Sequence, residues 1–139
     1  MKESSREKVA SLIPVVTEFE KPFWDSLQDE KLMVQKCQKC GNVQFPPSPV
    51  CTHCLSNDVK WIPCSGKATL WSKVTFHKFY LEPYNDVPYS VVMAKLEEGP
   101  VVTGRISEEA ASKTPFDAPL SAAYVKTADG TVVVEFVPA

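Results

Sequence analysis

The chain has 139 residues, 44% of them hydrophobic and 23% charged, with a formal net charge of −2. That is material for one ordinary domain, or two small ones sharing a core, and enough apolar residues for a packed interior. A near-neutral balance argues against bulk nucleic-acid binding, which needs a basic excess, and no apolar run approaches the roughly 20 residues that span a bilayer.

No charged n-region followed by an apolar h-region opens the chain, so the expected location is the cytoplasm. Twelve prolines against five glycines imply stiff connections, most of them at element borders.

Residues 1–13 are polar and mixed in charge apart from Val9, Leu12 and Ile13, and read as a fraying segment or a short docking helix. Next, Pro22 can open a helix from its first turn, which places Phe23, Trp24 and Leu27 on one face. That face either covers the protein's own core or presents aromatic anchors to a partner, and the two uses are compatible. Residues 1–31 are thus expected to form an N-terminal helical arm.

Residues 32–64 carry the most specific signal. A strand from Leu32 to Lys36 leads into Cys37-Gln-Lys-Cys40-Gly41, with Val43–Phe45 as its hairpin mate; ten residues separate Cys40 from Cys51-Thr-His-Cys54. Two Cys-x-x-Cys hooks at this separation make a closed four-thiolate site, and Gly41 suits the tight turn because glycine takes positive φ freely. Four soft ligands with no open position favour structural zinc. A rubredoxin-like iron centre would use the same sulfurs but implies electron transfer, to which nothing else in the chain points. Two disulfides would need an oxidising compartment, and catalytic zinc would need an open coordination position. His53 reads as a solvated knuckle residue, and Cys64 as a small buried or half-buried side chain. Strand character resumes at Val59–Ile62.

From Gly66 onward the pattern is β. Lys67–Tyr80 reads as one long curved strand, with Val74 and Phe76 on a covered face and Lys73, Thr75 and His77 alternating with them; Leu81–Pro88 reads as a polar loop. Tyr89–Leu96 and Val101–Ile106 are two strands joined at Gly99-Pro100. Ser107 then caps a short helix to Lys113, and Leu120–Val125 and Thr131–Phe136 pair around Asp129-Gly130. Five strands with a helix between the third and fourth describe an OB-fold barrel over residues 65–139. The expected fold is therefore mainly β: an N-terminal helix, a rubredoxin-like zinc ribbon and a five-stranded OB-fold barrel.

In this order, Pro22-Phe23-Trp24, Gln35–Gly41, Phe45-Pro46-Pro47, Cys51–Cys54, Ser65–Ser72, Leu96–Pro100 and Phe136–Ala139 resemble the zinc-ribbon/OB-fold family whose members accompany thiolase-like enzymes in acyl-CoA metabolism. The resemblance runs from about Phe19 to the C-terminus. The family commonly has Arg after the Pro-Pro pair and Gly after the last cysteine, where this chain has Ser48 and Leu55. Losing the Arg removes a candidate phosphate contact.

The resemblance implies an accessory, non-catalytic subunit that holds structural zinc, docks a thiolase-like catalytic partner and helps to close a site for a coenzyme A thioester. The residues show no nucleophile elbow, no phosphate-cradling glycine loop and no paired acids, in keeping with a module that leaves chemistry to another chain. Candidate contacts with the partner or acyl-CoA are Phe23, Trp24, Phe45 and Pro46 in the first part of the chain. Trp71, His77, Lys78, Phe79 and Tyr80 are candidates on the barrel, where His77 either meets a ligand or is an exposed strand residue. Two alternatives are a single-stranded nucleic-acid binder using Trp71, Phe76, Phe79 and Tyr80 as stacking platforms, and a free-standing acyl-CoA or lipid carrier. Against the first, residues 65–139 hold seven Lys/Arg and nine Asp/Glu.

Overall fold

The computed structural model describes residues 17–78, 88–127 and 130–139. The expectations for residues 1–13, Phe79, Tyr80, Asp129 and most of the loop at 81–88 lie outside the described residues. Among the described residues no helix is long and apolar enough to cross a membrane.

Helix α1 spans Lys21–Gln28 with proline in its first turn, where the missing N–H costs nothing because it would have had no helical partner. Phe23 and Leu27, one turn apart, are its buried residues. They join Leu32, Val34, Leu70, Leu120 and Phe136 in a single core shared with the barrel. Gln28 Nε2 donates to the Gly130 carbonyl at 2.9 Å, tying the end of α1 to the opposite end of the chain.

A three-stranded antiparallel sheet follows, with β1 (Met33–Cys37) between β2 (Val43–Gln44) and β3 (Val59–Pro63). The second sheet closes on itself. Strands β4 (Lys67–Phe76), β5 (Tyr89–Leu96), β6 (Val101–Ile106), β7 (Pro119–Lys126) and β8 (Val132–Pro138) form a barrel in the order β4-β5-β6-β8-β7. Antiparallel pairing of β4 with β7 and a parallel contact at Arg105 and Glu135 between β6 and β8 complete the ring. Helix α2 (Glu108–Lys113) joins β6 to β7; Ser107 Oγ accepts the Ala110 N–H at 3.1 Å, and Glu108 and Glu109 stand at the positive end of the helix.

Five strands enclose a space that side chains fill, and Leu70, Val92, Ala94, Leu96, Val102, Leu120 and Phe136 are all buried there. Gly104 is part of that fit. A Cβ at this position would lie 2.9 Å from the Phe136 ring.

The structure corrects one expectation about β4. The pairing of β4 with β5 shifts between Leu70 and Ser72, so a bulge at Trp71 reverses the alternation of every later side chain. Val74 is accordingly 49% exposed, although it was expected on the covered face. Thr75 turns inward, where its hydroxyl lies 2.8 Å from that of buried Ser90. Lys73 reaches the C-terminal end of α2, donating to the Ala111 and Thr114 carbonyls at 2.7 Å each.

Candidate metal centre

Two backbone hooks with the same hydrogen-bond pattern build the centre. In the first, the Gly41 N–H donates to the Cys37 carbonyl at 3.0 Å and the Cys37 N–H to the Asn42 carbonyl at 2.8 Å. In the second, Leu55 donates to Cys51 at 2.9 Å and Cys51 to Ser56 at 2.7 Å. The residue after each second cysteine has positive φ, +81° at Gly41 and +65° at Leu55. Glycine adopts this conformation freely, whereas an L side chain is strained there by roughly 1–2 kcal/mol.

The hooks face each other. The four Sγ atoms of Cys37, Cys40, Cys51 and Cys54 all lie within 4.8 Å of one another, with Cys37–Cys54 and Cys40–Cys51 at 3.6 Å. A tetrahedral ion with Zn–S bonds of about 2.3 Å needs sulfurs about 3.8 Å apart, so the donor set and its spacing fit zinc. The hooks also supply charge stabilisation. Amide donors point at Cys51 Sγ from His53 (3.3 Å) and Cys54 (3.4 Å), and at Cys37 Sγ from Cys40 (3.5 Å).

Accordingly the Cys51 thiol is lowered to about 6, chiefly by the Cys54 N–H, and the Cys37 thiol is lowered chiefly by that of Cys40. At Cys40 the Asn42 N–H pulls down, but desolvation and the neighbouring sulfurs outweigh it and push the thiol up to about 12. A divalent ion removes that competition by taking all four sulfurs as thiolates, so its binding releases protons. His53 is exposed and contributes its backbone N–H, while its imidazole is not in the sulfur cluster.

The sequence reading missed the polar frame behind the cysteines. Gln35 on β1 and Gln44 on β2 are cross-strand partners and both are buried. Gln44 Nε2 donates to Gln35 Oε1 (2.9 Å) and the Val50 carbonyl (3.0 Å), and Gln44 Oε1 accepts from the Thr52 N–H (2.8 Å). Asn42 Nδ2 adds a long contact of 3.7 Å to Cys51 Sγ. The available signal was that Gln44 falls opposite Gln35, and so on the same sheet face, once the hairpin register is drawn.

Of the candidate contacts, Phe23, Trp24 and Phe45 come together. The Phe23 ring meets Trp24 edge-on at 5.1 Å and Phe45 at 5.3 Å. Phe23 is only 6% exposed, which spends it on the core, while Trp24 and Phe45 are half-buried and Pro46 is exposed beside them. Trp71, His77 and Lys78 lie apart from this trio, on β4 or just past its end, and all three are exposed. Cys64 is half-buried, with its thiol pushed up to about 12 by burial and then by Glu98.

With this geometry in view, the family models described as "ChsH2, rubredoxin-like zinc ribbon domain" and "ChsH2, C-terminal OB-fold domain" match residues 24–59 and 61–125 in succession. The chain belongs to the ChsH2-type zinc-ribbon/OB-fold family. Among relatives, the 3-oxo-4,17-pregnadiene-20-carboxyl-CoA hydratase alpha subunit of Mycobacterium tuberculosis is 26% identical over 77% of this chain and 34% of its own length. A DUF35 domain-containing scaffold protein of Pyrococcus furiosus is 30% identical over 62% of this chain and 63% of its own. The chain thus spans about a third of the first relative and just under two thirds of the second. Its fold is that of a chain of the solved Ltp2-ChsH2(DUF35) aldolase, with a TM-score of 0.79 at 21% identity, covering 91% of this chain and 98% of that one. All four ribbon cysteines are present in this chain.

Proposed function

We propose that the chain is a non-catalytic accessory subunit, stapled by structural zinc, that docks a thiolase-like enzyme and helps to close its site for a coenzyme A thioester. The observation that carries this reading is the closed four-sulfur centre, which leaves no coordination position for substrate, beside a barrel whose interior is already filled by side chains. Cys37, Cys40, Cys51 and Cys54 would hold the ion, and bound zinc would supply folding free energy to the ribbon. The relatives' names support an enzyme partner, since they include a hydratase subunit, a scaffold protein and an aldolase complex. The thiolase-like identity of that partner rests on the family resemblance. A filled barrel gives no support to a free-standing acyl carrier, which needs an apolar chamber.

The test is to purify the tagged chain from its native host, identify what accompanies it, and assay each component on acyl-CoA thioesters. We expect a thiolase-like enzyme that carries the bond-making and bond-breaking groups, and no turnover by this chain alone. Turnover of an acyl-CoA by the isolated chain overturns the reading.

A further inference from the structure

The four cysteines of the centre are not equally protected. Cys37 is 1% exposed and Cys51 is fully buried, whereas Cys54 is half-buried and Cys40 is exposed. The difference follows from where each sits. Cys37 is the last residue of β1, and Cys51 is enclosed from the side of β2, where Asn42 reaches its sulfur and Gln44 binds Val50 and Thr52 on either side of it. Cys40 lies in the turn beyond β1, outside the cover of the sheet. Backbone donors favour the same two buried sulfurs, with the His53 and Cys54 amides on Cys51 and the Cys40 amide on Cys37.

Oxidants select a cysteine by thiolate character and by access. In a loaded four-sulfur site every ligand is a thiolate, so charge does not separate the four and exposure does. Cys40 is therefore the ligand that meets solvent first. Its near neighbour is Cys51 on the opposite hook, with the two sulfurs 3.6 Å apart. The fifth cysteine, Cys64, is half-buried and outside the cluster. Damage at the centre would not stay local, because Phe45 lies between the hooks and its ring meets Phe23 on α1 at 5.3 Å.

We propose that Cys40 is an oxidation site, at which a peroxide forms a sulfenic acid that Cys51 resolves to a disulfide, opening the metal centre. The electron count closes with peroxide as the only oxidant. The Cys40 thiolate attacks one peroxide oxygen, the O–O bond breaks and hydroxide leaves, giving the sulfenic acid. The Cys51 thiolate then attacks Cys40 Sγ, the S–O bond breaks and a second hydroxide leaves. Two electrons have passed from the two sulfurs to the peroxide. Cys37 and Cys54 remain as thiolates, half the ligand set that a structural site uses, so the ion is lost. A thiol reductant reverses the disulfide, which makes the step a switch.

The test uses the full chain loaded with zinc, hydrogen peroxide as the probe and a chromogenic chelator to report release. Dimedone, which traps sulfenic acids, should label Cys40 at least about fivefold above Cys37, Cys51 and Cys54 in a peptide mass map. Without the trap, the mapped disulfide should join Cys40 to Cys51, and dithiothreitol with added zinc should restore the far-UV circular dichroism. Cys40→His keeps a four-ligand site, since three cysteines and a histidine also hold zinc, and should slow peroxide-driven release at least about fivefold. Cys54→His, the matching change at the half-buried ligand, should stay as sensitive as wild type.

Retention of zinc by the wild-type chain in excess peroxide, stronger dimedone labelling at another cysteine, or a disulfide between Cys37 and Cys40 overturns the proposal. So does wild-type release from zinc-loaded Cys40→His. Should that variant fail to load, the dimedone map of the unmutated chain decides the question alone.

Discussion

Gln44 on β2 donates to Gln35 on β1 at 2.9 Å, and through that one side chain the first metal hook is joined to the second. Gln44 also holds the Val50 carbonyl and the Thr52 N–H, which flank Cys51, and Gln35 Oε1 accepts the Ser48 N–H at 2.8 Å. The connection from Phe45 to Val50 is thus fixed by two buried amides. Because groups behind a ligand set orient it, Gln44→Leu should speed zinc loss to a chelator about 10-fold or more. It should leave the barrel folded, because its bonds lie within the ribbon. Release followed with a chromogenic chelator, beside far-UV circular dichroism, checks both expectations.

The metal itself is expected at one zinc per chain. Cys37→Ser should abolish it and unfold the ribbon, since structural zinc contributes on the order of 10 kcal/mol in small modules. Cys64→Ser should leave the content unchanged, as Cys64 is not one of the four clustered sulfurs. Elemental analysis that finds iron, or no metal in a folded sample, overturns the assignment.

The two hooks differ in one residue whose effect can be measured. Gly41 and Leu55 occupy equivalent positions at φ +81° and +65°, and the Leu55 side chain is 74% exposed, so little packing offsets its strain. Leu55→Gly should raise stability by about 1 kcal/mol despite the added freedom of the unfolded chain, and Gly41→Leu should lower it by a similar amount. Denaturant midpoints of the zinc-loaded proteins decide this.

Much of this architecture was legible because the deciding features are local. The spacing of the four cysteines, the Ser107 cap and the proline opening α1 each act within a few residues, and the structure places them as read. The bulge at Trp71 was not legible, since it exists only in the register between β4 and β5, and without it Val74 and Phe76 look like core. The Gln35–Gln44 frame escaped for the same reason. Phe23 shows a third limit: its helical face could be read, but whether that face turns inward depends on Leu32, Leu70 and the rest of the core it meets.

Phe23 and Trp24 should therefore separate on mutation. Phe23→Ala removes a buried ring and should cost about 3–5 kcal/mol in the isolated chain, enough to unfold a marginal domain. Trp24→Ala removes a half-buried ring and should cost less, so any loss of partner binding beyond its shift in melting temperature reports a contact. Equal destabilisation by the two variants would show that the trio with Phe45 acts only as core.

Cys64 offers a test by pH. Burial, and next the Glu98 carboxylate, raise its thiol from 9.0 to about 12 in the folded protein. Well below pH 9 the thiol is almost entirely neutral in both states and contributes little pH dependence. Between pH 9 and about 12 the unfolded chain ionises while the folded one does not, so stability falls as pH rises across that window. Tyr124 is shifted upward in the fold, chiefly by burial, and steepens the same alkaline limb. Cys64→Ser should flatten the loss of stability above pH 9 without altering it at pH 7. At pH 8 the wild-type thiol should react with iodoacetamide at least about tenfold more slowly than a free cysteine, because the thiolate is the nucleophile. Alkylation of Cys64 in the zinc-loaded protein at the rate of an unfolded control would show that the side chain is neither buried nor paired as the fold places it.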